Sequence, residues 1–176
     1  MSNETQVETK FRGRVVTVNV ETVTLPNGER AVLDVVHHPG GAAIVALDQE
    51  DRVCLLRQFR HAAGGWIWEL PAGKLESGEP PLECARRELV EEAGRVARRW
   101  EPLCQVHSSP GVFTEIIHLF LARDLSSVPQ AHELHEVIEV HWLPLSEAWR
   151  HAVDGTYTDA KTLIGLLRAH VHMARP

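Results

Sequence analysis

The chain has 176 residues, 44% apolar and 24% charged, with a formal net charge of −6. That length suits one domain with a sizeable core, and the acidic balance argues against a nucleic-acid binder, which carries a basic stripe. An anionic small-molecule substrate stays open, because a bound metal inverts the local field. Cys54, Cys84 and Cys104 are odd in number and far apart, so neither a disulfide framework nor a zinc ribbon is indicated. The first ten residues hold no apolar signal-peptide core, and no stretch approaches the roughly 18 apolar residues of a membrane span. A cytoplasmic location without membrane contact is the expectation.

In chain order, residues 1–10 are polar and expected to fray. Over residues 11–25, Val16, Val18 and Val20 alternate with Thr17, Asn19 and Glu21, the pattern of a half-buried strand. Pro26-Asn27-Gly28 is a turn signal, and residues 31–36 resume as strand. Residues 1–38 therefore read as an antiparallel β-hairpin unit, and residues 39–176 as the main domain. An isolated hairpin is marginal, so this one must pack on the main body or on a second subunit.

Residues 42–47 and 52–59 are two further strands about the polar turn 48–51, and residues 66–71 are extended or irregular before Pro71. Pro80-Pro81 opens a helix whose inward stripe is Leu82, Ala85, Leu89 and Ala93, with Gly94 as its cap. Glu83, Arg87 and Glu91 follow at i, i+4 spacing, so Arg87 can bridge two carboxylates. Strands follow near residues 100–107, 115–123 and 137–143. A helix capped by Ser146 stops at Gly155; a last one, capped by Asp159, turns Leu163, Leu166, Leu167 and Val171 inward. Strands, helix, strands, helices indicate an α/β fold with a mixed sheet sandwiched between helices.

The helix opened by Pro80-Pro81 carries the chemistry. Glu88, Glu91 and Glu92 have the i, i+3, i+4 spacing of one helical face, a self-repelling cluster unless a cation neutralises it. Such a run is ordinarily a solvated face. Here, however, Gly73, Glu79, Arg87 and Gly94 flank it at fixed intervals. Hard cations such as Mg²⁺ take oxygen ligands and activate water for attack on phosphorus, so the cluster proposes a metal site and a phosphate chemistry. Glu88 and Glu92 are one turn apart, with Glu91 on the same side. Gly73 lets backbone approach where a side chain would block it.

In full, residues 73–94 resemble the Nudix box, G-x5-E-x7-R-E-U-x-E-E-x-G-U, where U is a bulky aliphatic. Gly73, Glu79, Arg87, Glu88, Leu89, Glu91, Glu92 and Gly94 occupy its fixed positions, while the final aliphatic is replaced by Arg95, with Val96 beside it to supply the packing. Gln58-Phe59-Arg60 with residues 68–73, Ser108-Ser109-Pro110-Gly111 with Glu115, and the GTYTDAKTL segment at residues 155–163 resemble the ADP-ribose and nucleoside-diphosphate-sugar pyrophosphatase branch of that family.

The resemblance implies a Nudix fold and Mg²⁺, or Mn²⁺ in its place, held by Glu88, Glu91, Glu92 and the Ala72 carbonyl. It implies Arg87 as a holder of the box loop, and a general base in the loop before the last sheet strand: Glu136 by its distance to that strand, or Glu133. It further implies Arg60 on the diphosphate, the Gly111 loop and Glu115 near the terminal sugar, and a homodimer paired through the N-terminal unit. Glu69 either anchors the box or is an ordinary ion-pair partner. Trp66 and Trp68 are packing residues or stacking platforms. His132-Glu133-Leu134-His135 lacks one residue of the zincin spacing. The expected activity is hydrolysis of ADP-ribose to AMP and ribose 5-phosphate. The alternatives are a pyrophosphatase acting on GDP-mannose or another nucleotide sugar, and a non-catalytic module that senses ADP-ribose.

Overall fold

The structure, a computed structural model, describes residues 5–130 and 137–174. The chain divides into two compact units, Met1–Gly40 with His107–Ile116, and Gly41–Val106 with Ile117–Pro176.

The smaller unit is a three-stranded antiparallel sheet, β1 (Gln6–Arg12), β2 (Thr17–Thr24) and β3 (Arg30–His37), in that order. It is therefore a meander rather than a two-stranded hairpin. The expected single strand breaks at a turn closed by Gly13 N–H to Val16 O at 2.8 Å, and the residues expected to fray pair with β2 instead. Every residue of β1 is exposed, so no face is dry enough to impose alternation on the sequence. At the second turn Gly28 adopts φ +88°, which only glycine takes without strain. Residues 107–116 join this unit through Val36, which donates to Val112 O at 2.8 Å and accepts from Thr114 N at 3.0 Å.

The larger unit holds two sheets. One is antiparallel, ordered β10 (Ile138–Pro144), β5 (Arg52–Arg60), β6 (Gly65–Glu69). The other is mixed, ordered β7 (Ala72–Lys74), β4 (Gly41–Ala46), β9 (Ile116–Ser127), β8 (Arg95–His107), with β4 and β9 parallel. The expected mixed sheet is present with helices on it, and an antiparallel sheet stands beside it; the chain passes between the two at β4–β5, at Leu70-Pro71 and at β9–β10. Helices α1 (Pro81–Ala93), α2 (Leu145–Val153) and α3 (Ala160–Met173) complete the unit. β4 is buried along its whole length and sorts its residues by pleat. Ala42, Ile44 and Ala46 join Cys84, Ala85 and Leu89 of α1 in one core. Ala43 and Val45 join Leu145 and Ala148 of α2 and Leu166 and Ala169 of α3 in the other. Among the described residues no helix is long and apolar enough to cross a membrane.

The face of α3 differs from the sequence expectation. Thr162, Gly165, Leu166 and Ala169 are buried, whereas Leu167 and Val171 are exposed. Small residues, not large ones, let this helix lie close to the sheet. A Cβ on Gly165 would sit 2.5 Å from Leu70 Cδ1, 3.0 Å from Leu119 Cδ2 and 3.2 Å from Val45 Cγ2. Gly165→Val is therefore expected to lose about 2 kcal/mol or more through overpacking, read as a lower urea midpoint at unchanged m-value. An unchanged midpoint would show that α3 has room to move away.

Candidate active site

The site is built on two short segments, the loop from Glu69 to Lys74 and the helix α1. Pro81 occupies the first helical position, and Gly94 ends the helix at φ +60°, its N–H bonded to Val90 O at 3.0 Å. Between these caps the inward stripe of Cys84, Ala85, Leu89 and Ala93 fixes the helix rotation. That rotation carries Glu88 and Glu92 to the edge of the core, where they are only 8% and 2% exposed. Glu92 Oε2 accepts from Ala72 N at 2.8 Å. The Glu88 carboxylate lies over Gly73 so closely that a Cβ there would stand 1.7 Å from its Oε1. Two of the box carboxylates thus rest on two consecutive backbone units of one loop.

Carboxylates this buried cost several kcal/mol each unless cations and donors compensate them. Arg87 supplies most of the compensation. Its Nε and Nη2 clasp Glu79 at 3.0 and 3.1 Å, its Nη1 reaches Glu88 at 2.7 Å and Glu91 at 3.0 Å, and Nη2 also meets Lys74 O at 3.3 Å. Those contacts use all five guanidinium N–H groups. Every guanidinium N–H of Arg87 is thus spent on a partner within the protein. Its clasp holds the Glu79 carboxyl below the ordinary value and raises the arginine's own. The i, i+4 partner Glu83 is not bridged by it; Glu83 pairs with Arg86 at 2.8 Å.

A second charged group lies behind the loop. Glu69, 2% exposed, takes Arg60 Nε at 2.7 Å and Nη2 at 3.1 Å, and Lys161 Nζ at 2.5 Å. Lys161 also pairs with Asp159 at 2.9 Å. Burial pushes the Glu69 carboxyl up, but the Arg60 hydrogen bond and the Lys161 charge outweigh it, so the group lies below the usual carboxylate range. Glu69 is thus an ion-pair partner, directly preceding the box loop. Trp68 packs against the core and tilts onto Tyr157 at 5.9 Å, while Trp66 is exposed and meets Phe59 edge-on at 6.1 Å.

Of the remaining candidates, Gly111 and Glu115 belong to the smaller unit. Gly111 lies in a turn closed by Val112 and Phe113 N–H to Ser109 O, and Glu115 faces His38 Nδ1 at 3.2 Å. Glu133 and Glu136, with the histidines at 132 and 135, lie outside the described residues. Sequence reasoning missed Asp159, Lys161 and Thr162 as neighbours of the loop. Burial pushes both the Cys54 and Cys84 thiols up to about 12, which removes them as nucleophiles near neutral pH. Arg95 does not leave its packing to Val96, which is 37% exposed; its own guanidinium lies 5.3 Å over the Trp142 ring.

The donor set fits a hard divalent cation. Glu88, Glu91 and Glu92 offer carboxylate oxygens, and Gly73 provides a cradle that a side chain would fill. Among the described residues no three such side chains form a preassembled metal cage. Arg87 holds oxygens of Glu88 and Glu91, so binding a cation requires those two carboxylates to share or exchange this partner.

A NUDIX domain model matches residues 37–163. The chain belongs to the Nudix family of hydrolases. Within it, the chain falls in the ADP-ribose and nucleotide-sugar pyrophosphatase branch. It is 40% identical over 154 residues to an ADP-ribose pyrophosphatase of Bacillus subtilis (strain 168), covering 86% of this chain and 83% of the relative. It is 36% identical over 163 residues to a GDP-mannose pyrophosphatase of Cronobacter sakazakii (strain ATCC BAA-894), covering 86% and 84%. The fold matches a crystal structure of an ADP compounds hydrolase with a TM-score of 0.82 at 23% identity, over 96% of this chain and 91% of that one.

The charge on Glu69 has a measurable consequence. Its depressed carboxyl contributes stability that is fully present above the ordinary value of 4.5 and is lost as pH falls through the lower folded value. Glu69→Gln is expected to cost about 2–3 kcal/mol at pH 7, since it removes the buried carboxylate charge that Lys161 and Arg60 share. The gap from wild type should narrow on acidification below pH 4.5. Urea unfolding across pH 3–7 checks this, and a gap independent of pH would rule out the charge as its source.

Proposed function

We propose that the chain hydrolyses the pyrophosphate bond of ADP-ribose, giving AMP and ribose 5-phosphate, with Mg²⁺ as the working cation and Mn²⁺ able to replace it. The observation that carries this reading is the meeting of Glu92 and Glu88 with the Ala72-Gly73 backbone, with Glu91 tied alongside by Arg87. Glu88, Glu91, Glu92 and the Ala72 carbonyl hold the cation. When bound, it neutralises the phosphate oxygens and lowers the pKa of the attacking water. Arg87 keeps the carboxylates and the loop in register. Arg60, oriented by Glu69 and with its side chain 42% exposed, meets the diphosphate. Glu136, or else Glu133, takes the water's proton. One water is consumed; its hydroxyl ends on one phosphorus, and the bridging oxygen leaves with the other.

The relative at 40% identity supports ADP-ribose as substrate. The relative at 36% identity keeps GDP-mannose as the second reading. Three free cysteines among the described residues suit a reducing, cytoplasmic compartment. The deciding experiment compares kcat/KM for ADP-ribose, GDP-mannose, UDP-glucose, ADP-glucose and NADH with Mg²⁺. ADP-ribose is expected to lead, with release of AMP. A lead for GDP-mannose moves the assignment to that sugar, and ADP-ribose binding without AMP release overturns the enzymatic reading. Glu92→Gln preserves the shape beside Ala72 but loses a charged ligand. It should lower kcat by about 10²–10³-fold with the circular dichroism unchanged.

The chain is also proposed to be a homodimer paired through residues 1–38. In the smaller unit Val7, Phe11 and Val32 are 56%, 56% and 67% exposed, apolar side chains that a second copy could cover. Sedimentation at micromolar concentration should give twice the chain mass, and Phe11→Glu should shift it toward the monomer. A monomeric wild type counts against pairing.

A further inference from the structure

The segment GTYTDAKTL has no role in the chemistry above, yet its side chains reach the box loop from a distance of 92 residues in sequence. Between Glu69, the last residue of β6, and Ala72, the first of β7, the chain leaves one sheet and enters the other. Pro71 has no N–H. Its carbonyl is taken by Ile44 N at 2.9 Å. Leu70 is fully buried and its N–H needs an acceptor, which Thr162 Oγ1 provides at 2.8 Å. Thr162 is itself fully buried, and its hydroxyl donates to Asp159 Oδ2 at 2.6 Å. Asp159 is the N-cap of α3 and accepts from Thr162 N at 3.0 Å. One residue upstream, Lys161 shares Glu69 with Arg60.

We propose that the first turn of α3 is a positioning device for the active site. Thr162 fixes where Ala72 and Gly73 meet Glu92 and Glu88, and Lys161 sets how tightly Glu69 holds Arg60. Leu70 N–H is two residues from Ala72 N–H, and the bonds hold opposite ends of one short loop, to α3 and to α1 respectively. Without the hydroxyl, a buried donor loses its partner, and the loop must shift to find another. The shift is transmitted to the carboxylates that rest on it. Glu69 divides its charge between two cations; with Lys161 gone, that charge falls on Arg60 alone and holds the guanidinium back from a diphosphate. This inference rests on the metal-dependent pyrophosphatase reading above.

The test uses the full chain and reads Mn²⁺ affinity by electron paramagnetic resonance beside kcat and KM for ADP-ribose. Thr162→Val, isosteric but without the hydroxyl, is expected to weaken Mn²⁺ binding about tenfold and to lower kcat, as loss of a group behind a metal ligand does. Thr162→Ser should restore both. Lys161→Met should raise KM about tenfold while kcat and Mn²⁺ affinity stay within about twofold, and Lys161→Arg should restore KM. A folded Thr162→Val with wild-type Mn²⁺ affinity overturns the first part, and Lys161→Met with unchanged KM overturns the second. Should Thr162→Val fail to fold, Thr162→Ser against Thr162→Cys, read for Mn²⁺ affinity, decides the first part in the same way. A wild type that binds Mn²⁺ yet leaves ADP-ribose intact defeats the assigned activity. In that case the Mn²⁺ comparison alone still judges the clamp.

Discussion

The change of sheets at Leu70-Pro71 is the constraint on which the larger unit turns. A chain leaving one sheet for another gives up its ladder partners, and a buried backbone cannot leave them unreplaced. Here each replacement comes from a different element: Thr162 of α3 for Leu70 N, Ile44 of β4 for Pro71 O, and Glu92 of α1 for Ala72 N. At this crossing α1, α3 and the inner strand are thus tied to a single short stretch. Its proline helps, because it removes a donor that would otherwise need a fourth partner. Leu70 N–H, Pro71 O and Ala72 N–H are thereby each held by a group outside the loop.

Charge compensation follows the same plan. Three glutamates of the box, Glu79, Glu88 and Glu91, gather on one arginine, and a further one, Glu69, sits between Arg60 and Lys161. Glu92, only 2% exposed, accepts from the Ala72 backbone N–H. The two arginines divide the labour by geometry. Arg87 spends every donor inside the protein, whereas Arg60 is pinned through Nε and Nη2 on a side chain that keeps 42% of its surface in water.

The helix α1 was legible in the sequence because its information is local: a proline pair at one end, glycine at the other, and apolar residues at helical spacing between them. The box spacing made the carboxylates legible as well. β4 could be found as a strand, but not that it divides two cores, since a continuous apolar run carries no alternation. In α3 the expected inward residues Leu163 and Leu166 do pack on the core, but Leu167 and Val171 do not; the smaller Gly165 and Ala169 take the buried places. Hydrophobic size does not measure how closely a helix must approach its sheet, whereas the crowding around Gly165 does. β1 escaped because an edge strand open on both faces is held by backbone bonds that no side-chain pattern records. The Thr162–Leu70 bond escaped for another reason. A threonine in a first helical turn reads as local capping chemistry, and its partner lies 92 residues away.

Arg95 shows what the last position of the box requires. The pattern asks for a bulky aliphatic where the chain leaves α1, and the neighbouring valine does not take over that duty. The arginine instead lays its guanidinium over Trp142 and donates from Nη1 to Gly94 O at 3.0 Å. Its charge meets the negative end of the helix dipole. Beyond the cap the space is tight: a Cβ on Gly94 would stand 2.6 Å from Gln130 Cγ and 2.9 Å from Val128 O. Gln130 Nε2 in turn donates to Glu92 O at 3.1 Å. The helix exit is thus closed by an indole below, a glutamine above and an arginine that touches both the cap and the core. What the position needs is cover for the last turn that carries Glu92, and an arginine with an aromatic partner supplies that cover as well as an aliphatic side chain can.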